Sequence, residues 1–367
     1  MNDQPRPLTP SLTLSLLLLV SCEIAPPNPE NVFGFRDLEL DLGALPARIS
    51  FGSCADQERP QPILTQVLAR SPDLFVYLGD NIYGDTEDMQ VLRDKYRLLA
   101  DKPEFQALRR ACPTQAIWDD HDYGLNDGGR HYVKRAESRE VFLDFWREPA
   151  DSARRSHPGI YHAQRFEAGG RTLQLLLLDT RTFRDDLRPR NEAADFKNAY
   201  RPHEEAGPTL LGEAQWRWLE QQLRTPADLR VIATSIQFGH SYNGWESWTL
   251  FPHERERMID LIQDTGASGA LFISGDVHWG EINRQEVLGG YPLYDVTASG
   301  LNQDWDTIEP STRRVGDAVS QYNFGSIEID WTADDPLIRL LNIDLTGEER
   351  NVVQVRLSEL GADQGTR

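Results

Sequence analysis

Leu74-Phe75-Val76-Tyr77-Leu78 runs directly into Gly79-Asp80-Asn81-Ile82-Tyr83, five apolar residues ending in a polar cluster. An unbroken apolar run of that length reads as a strand covered on both faces, as in a parallel sheet. The pattern recurs twice. Thr114-Gln115-Ala116-Ile117-Trp118 leads into Asp119-Asp120-His121-Asp122, and Ala270-Leu271-Phe272-Ile273-Ser274 leads into Gly275-Asp276-Val277-His278. In an open α/β sheet ligands gather at the carboxyl ends of the strands, so the three clusters are expected to converge. Carboxylates crowded that closely repel and would be driven to protonate unless something positive lies among them. A metal centre is the simplest answer.

Outward from these runs, strand and helix patterns alternate. Ala47 to Cys54 reads as a first core strand, and Pro62 to Arg70 has helical periodicity with Ile63, Val67 and Leu68 on one side. Helical stretches are expected at Met89–Leu99, Lys134–Trp146, Leu211–Leu223 and Pro252–Gln263, the last with Pro suited to its first turn. Further strands are expected at Leu173–Leu178, ending in Asp179-Thr180-Arg181, and at Leu229–Gln237. Phe183 to Pro208 is polar and irregular; a loop that long in a compact domain is usually a lid or a surface insertion. Beyond Asp276 the rhythm changes to short strands: Tyr294–Ala298, Gly325–Trp331, Leu337–Asp344 and Val352–Leu357. That succession suits a second, largely antiparallel sheet packed on the first, an α/β layered domain.

The chain has 367 residues and a formal net charge of −20, which disfavours binding to nucleic-acid backbone and favours divalent cations. The amino end is a separate object. Leu12 to Val20 is mostly leucine, too short to span a bilayer and about the length of a signal-peptide core. It ends in Leu19-Val20-Ser21-Cys22, which resembles the lipobox of bacterial lipoproteins, and Pro-rich sequence follows. An ordinary cleaved signal or a stray apolar segment are the alternatives. The expected organisation is a signal and lipobox over 1–22, a tether over 23–46, a catalytic domain over 47–360 and a disordered tail over 361–367. Cys54 and Cys112 remain; they pair in an oxidising compartment, or Cys54 is a thiolate ligand and Cys112 a small buried hydrophobe.

Two metals sharing a carboxylate can activate a water and clamp a phosphoryl oxygen. Asp80 lies just past a strand, and Tyr83, three residues on, can turn back to the same ion; a phenolate points to a hard, Lewis-acidic ion such as Fe(III). The bland alternative for Asp80 is a turn or helix-cap residue. Asp119-Asp120-His121-Asp122 is too dense in carboxylates for a solvated face behind an apolar strand, though an Asp-rich turn is the competing reading. Asp276 and His278 fall on the same side of an extended segment, as two neighbouring ligands or as a satisfied surface pair.

Gly52-Ser53-Cys54, Gly79-Asp80-Asn81-Ile82-Tyr83, Trp118-Asp119-Asp120-His121-Asp122, Leu178-Asp179-Thr180-Arg181 and Gly275-Asp276-Val277-His278 together resemble the motif series of the alkaline phosphatase D (PhoD-like) family of calcineurin-like metallophosphoesterases. The match runs in order from about Arg48 to Asn302. The resemblance implies a four-layer α/β/β/α sandwich with two packed mixed sheets. It implies Cys54 and Tyr83 as Fe(III) ligands, Asp80 as the bridge, Asp120 and Asp276 as ligands of a second metal and His278 as an iron ligand. In that family the second metal is typically Ca(II), which fits oxygen-rich ligands. His121 would be the general acid or phosphate contact, Asn81 a phosphate contact, and Arg181 a support for the site or the substrate. The middle histidine of the wider superfamily is not visible: Gln237 stands there, and His240 in Gly-rich surroundings reads as a loop residue. Tyr242, Trp245, Trp248 and Trp279 form either a rim for a planar leaving group or part of the core.

The expectation is an exported, lipid-anchored phosphoesterase that hydrolyses phosphodiesters, then phosphomonoesters, by metal-activated hydroxide. Its partners would be a small phosphate ester or phospholipid-type substrate and, through the anchor, a membrane. Outer membrane or cell surface is the expected place, otherwise periplasm or medium. The rivals are a catalytically silent cation- or phosphate-binding lipoprotein on the same scaffold, and an exported protein with a Cys54–Cys112 disulfide and a surface Ca(II) site.

Overall fold

The computed structural model describes Met1, residues 37–190 and residues 199–361. The chain divides into two compact units, Met1–Val32 and Phe33–Arg367, and the helices and strands named next all belong to the second. The expected signal, the lipobox cysteine and most of the tether and tail therefore lie outside the described residues.

Along the chain come β1 (Arg48–Gly52), α1 (Ile63–Ala69), β2 (Leu74–Leu78), α2 (Met89–Ala100), α3 (Pro103–Ala111) and β3 (Thr114–Ile117). The short α4 (Asp120–Tyr123), α5 (Arg135–Phe145) and the pair β4 (His162–Ala168) and β5 (Arg171–Leu177) follow. Next are α6 (Gly212–Arg224), β6 (Leu229–Ala233), α7 (Pro252–Asp264) and β7 (Ala270–Ser274). The last stretch holds β8 (Gly280–Gln285), β9 (Leu293–Ala298), β10 (Arg314–Val319), β11 (Asn323–Ile329), β12 (Leu337–Asp344) and β13 (Glu349–Arg356).

These strands form two mixed sheets, in the orders β13-β12-β11-β1-β2-β3 and β10-β8-β9-β7-β6-β5-β4. The C-terminal strands do not make a sheet of their own, contrary to the expectation. β11 to β13 extend the first sheet antiparallel from β1, while β8 to β10 join the second beside β7. The reason is burial: β11 and β12 lie against β8 and β9, so each late strand finds cover only between the two early sheets. Helices α1, α2, α3 and α5 pack on one another on the first sheet's outer side. On the other side α6 is tied to β5 by Gln174 Nε2 donating to the Gln222 carbonyl at 3.2 Å. The result is the expected four-layer sandwich.

Local chemistry explains the elements. All five positions of β2, β6 and β7 are buried, as strands covered on both faces require. Asp88 caps α2, its carboxylate accepting from the Gln90 amide at 2.8 Å, and α3 and α7 begin on proline. In the second sheet Phe272 stacks on Phe238 with centroids 3.9 Å apart, and truncating such a buried ring to Ala costs about 3–5 kcal/mol.

Register positions the site. Gly52, Tyr77 and Ala116 sit level across β1, β2 and β3, and Leu177, Ala233 and Ile273 sit level across β5, β6 and β7. Six chain segments therefore leave parallel strands at one pole of the molecule. At the opposite pole residues 37–46 run along the strands' amino ends. Leu38 N donates to Arg109 O at 3.0 Å, Asp37 pairs with Arg109 and Arg147, and Glu167 N donates to Leu42 O at 3.0 Å.

Cys54 and Cys112 are both buried and free. Cys54 follows the carboxyl end of β1, whereas Cys112 precedes the amino end of β3 two strands away. Since Cys54 is level with Trp118, about six residues of rise, or roughly 20 Å, separate them, far beyond disulfide reach. The disulfide rival is thereby corrected.

Candidate metal centre

Three of the six strand ends, those of β1, β2 and β7, run into backbone held in an uncommon conformation. Cys54 (φ 61), Asp80 (φ 47), Asp276 (φ 77) and His278 (φ 63) all occupy the left-handed region, where non-glycine residues pay steric strain. Such strain gathers where surrounding structure dictates the direction of a side chain. The surroundings here are tight: Gly79 has φ 102, and a Cβ on it would lie 2.5 Å from the Asp119 Cβ. Across the sheets, Ser53 Oγ accepts from the Asp276 amide at 3.3 Å, tying the β1 end to the β7 end.

The side chains so aimed converge. Cys54, Asp80 and His278 bring one sulfur, one oxygen and one nitrogen within 4.8 Å of one another. Tyr83 joins that group, its hydroxyl 3.1 Å from His278 Nε2. Asp80, Asp119, Asp120 and Asp276 form a second, all-oxygen group, and Asp80 belongs to both. The Cys54 thiol donates to Asp80 Oδ2 at 3.4 Å and meets Ser299 Oγ at 3.1 Å. A cleft of ≈ 290 Å³ opens on the cluster; its walls include Asp80, Asp120, His121, Asp276 and His278.

Electrostatics mark the cluster as incomplete by itself. Burial, then the neighbouring Cys54, pushes the Asp80 carboxyl well above its usual range. Burial, then Asp119, does the same to Asp276. The Cys54 thiol is pushed up to about 12 by burial. His278 is lowered to about 4 by burial and by His121, so its imidazole is neutral with a lone pair to give. Asp80 Oδ1 and Asp120 Oδ1 are buried without a hydrogen-bond partner. A cation among them would answer all of these at once. The donor set fits two different ions: sulfur, phenol and imidazole on one side, carboxylates alone on the other.

A second layer holds the cluster. Arg181 is fully buried; its Nε donates to Asp119 Oδ1 and its Nη1 to Glu246 Oε2, each at 2.5 Å, and Asp120 lies 3.9 Å away. Burial raises the Asp120 carboxyl, but Arg181 and His121 outweigh it and bring it down to about 2. Arg181 therefore sits beneath the cleft as a support. Asn81 is placed differently from the expectation. Both hydrogens of its amide are committed, to Ile117 O at 2.9 Å and to Asp122 Oδ2, so it splints the Asp119–Asp122 turn and offers no donor to a phosphate. Asp122 closes that turn by accepting from the Asp119 amide at 2.6 Å.

His121 Nδ1 meets both oxygens of Asp85, at 2.8 and 2.9 Å, leaving Nε2 free. Burial lowers its pKa, but Asp80, Asp120 and Asp85 more than compensate and hold it at about 11. Gln237 is no ligand: its Nε2 donates to Glu281 at 2.6 Å and to Thr297 at 3.0 Å. His240 is fully buried, 3.9 Å from Glu281 and outside both donor groups. Of the aromatic stretch, Trp248 is core, its indole donating to Thr234, while Trp245 and Trp279 line the cleft. The sequence reading missed Asp85, Asp127, Glu246 and Trp305. Glu246 and Asp127 lie with Asp120 in a further acidic group, yet sit in loops that no periodicity marks.

With this geometry established, similarity to known proteins becomes informative. A family described as PhoD-like phosphatase matches residues 49–287, more than half of the chain. The chain belongs to the PhoD-like phosphatase family. Alkaline phosphatase D of Bacillus subtilis (strain 168) is 27% identical to it over 271 residues, 62% of this chain and 45% of that protein. The chain thus spans less than half the length of that curated relative. Among solved structures, PhoD superposes with a TM-score of 0.60 at 20% identity, covering 89% of this chain and 74% of PhoD. GAP50, the anchor in the inner membrane complex of Plasmodium, gives 0.55 at 12% identity, covering 85% of this chain and 89% of GAP50. At those identities the two structures speak for the fold alone. No helix among the described residues of this PhoD-like chain is long and apolar enough to cross a membrane.

Proposed function

We propose that this chain is a metal-dependent phosphoesterase acting at the cleft over Cys54, Asp80, Asp120, Asp276 and His278. The observation that carries the reading is the pair of donor groups sharing Asp80, buried and short of partners. Cys54, Tyr83 and His278 would hold Fe(III), Asp120 and Asp276 would hold Ca(II), and Asp80 would touch both. Two such cations supply Lewis acidity to a phosphoryl oxygen and to water.

The remaining work falls to the side chains. Asp85 fixes the His121 ring through Nδ1, so that Nε2 holds a proton for the departing ester oxygen. Arg181 keeps Asp120 ionised and holds Asp119, whose carboxyl burial still raises to about 7, in place while taking no part at the substrate. Phosphodiesters come first as substrates and phosphomonoesters second. Export and a lipid anchor at Cys22 complete the reading; they rest on the leucine-rich amino end and its lipobox-like close.

Elemental analysis should find iron with calcium in the purified protein, together with a visible charge-transfer band from tyrosinate or thiolate. Hydrolysis of bis-p-nitrophenyl phosphate should exceed that of p-nitrophenyl phosphate. Colourless protein, inactive on both esters after metal reconstitution, would falsify the proposal.

A further inference from the structure

Three of the nine tryptophans, Trp245, Trp279 and Trp305, line the cleft. Trp245 and Trp305 stand edge to face, centroids 6.0 Å apart and planes at 84°. Trp305 in turn lies 6.3 Å from the His278 ring. This aromatic corner is continuous with the candidate ion ligands, so a substituent on a phosphorus held there reaches it.

The corner is also negatively charged. Asp304 and Asp306 flank Trp305, both exposed, and neither has a salt-bridge partner among the described residues. Glu309 is 8% exposed; one of its oxygens accepts from Trp245 Nε1 at 2.9 Å, and the other is buried without a partner. No Lys or Arg lines the cleft among the described residues. Two guanidiniums approach this segment from outside it, and both are engaged. Arg59 bonds to Gln303 at 2.8 Å and pairs with Asp56 at 3.2 Å, while Arg314 pairs with Glu281 at 2.5 Å and donates to the Glu309 carbonyl.

An anionic substituent would be repelled here, and a neutral planar one would leave the carboxylates unanswered. An organic cation uses both features, because indole faces attract cations and the carboxylates add to the field. We propose that this corner is a subsite for phosphate esters carrying a substituted-ammonium cation, with Trp245 and Trp305 against the cation and the Glu309 carboxylate, held at the Trp245 indole N–H, adding its charge to the field. The inference rests on the phosphoesterase reading and names the substrate class of that cleft.

Tryptophan fluorescence of the metal-loaded protein, titrated with choline and with its uncharged isostere 3,3-dimethylbutan-1-ol, tests it without turnover. Choline should quench saturably and bind about tenfold more tightly than the isostere. Trp305→Ala should weaken choline about tenfold, Trp305→Phe less, and Glu309→Gln should weaken choline without changing the isostere. The ratio of kcat/KM on p-nitrophenylphosphocholine to that on methyl p-nitrophenyl phosphate should also fall about tenfold in Trp305→Ala. Equal binding of choline and isostere, or a Trp305→Ala affinity within twofold of the parent, overturns the subsite. Selective choline binding with neither ester hydrolysed leaves the subsite standing and overturns the phosphoesterase reading instead.

Discussion

Arg181→Met should destabilise the fold by an amount the structure lets one work out. The guanidinium has no exposure and lies between Asp119 and Glu246, with Asp120 just beyond. Met fills much of the volume but leaves the buried carboxylates facing one another without their cation. Removing one partner of a buried ion pair costs about 3–5 kcal/mol. Glu246 retains Arg184 at 3.1 Å, so most of that loss falls on Asp119. A melting entropy of about 2.1 cal/mol/K per residue, over roughly 320 residues, converts it into a fall in Tm of about 5–7 °C. Arg181→Lys keeps the charge but not the fork and should recover only part of the loss. The double variant Arg181→Met/Asp119→Asn, which removes the stranded charge, should recover more. Calorimetric melts of chelated and metal-loaded protein read this out independently of activity. A single variant melting within 1 °C of the parent, or a double variant no better than the single, would refute the reasoning.

Other consequences are as direct. Asp80 and Asp276 have pKa values raised in the fold, so the native state keeps protons that the unfolded chain releases, and His121, held at about 11, acts in the same direction. Stability of the chelated protein should therefore fall from pH 6.5 to 8.5, a window above the range where His278 opposes the trend, and metal should flatten it; a chelated Tm rising with pH would contradict this. Asp85→Asn should slow esters with poor leaving groups by roughly tenfold or more and p-nitrophenyl esters much less, because a good leaving group needs no proton. Equal losses on both would remove His121 from the general-acid role. In Gly79→Ala the new methyl meets Asp119 at a φ that L residues avoid, so soluble yield and Tm should both drop, and a parent-like melt would count against the packing described. Finally, the chelated native protein should resist thiol alkylation and yield the Cys54 and Cys112 thiols only on unfolding; fast labelling of Cys54 in the native state would show that it is not sealed.

Much of the centre was legible because its residues sit at the ends of apolar runs. Asp80, Asp120, Asp276 and His278 could be placed by counting from β2, β3 and β7, and Cys54 by counting from β1. What could not be read depends on pairing across distance. Glu246 reaches Arg181 from a loop 65 residues away, and Asp85 reaches His121 across 36. Asn81, a phosphate contact by the family resemblance, turns inward instead because its partner Asp122 arrives from another strand end, which adjacency in sequence does not show. β4 and β8 were missed because polar residues such as Gln164, Arg165 and Asn283 interrupt the apolar signal. The partition of the last strands between the two sheets was invisible for a related reason: strand patterns report burial, and both sheets bury equally well.

The strap of residues 37–46 is fastened at the amino ends of β1 to β3, a full strand length from the cleft. It works as a handle placed behind the blade. A molecule gripped there, whether by a resin or by a surface, presents its cleft to the surrounding solution. A binder that grips residues 37–46 should accordingly leave access to the cleft open, whereas one that grips the 303–309 segment would stand in its doorway.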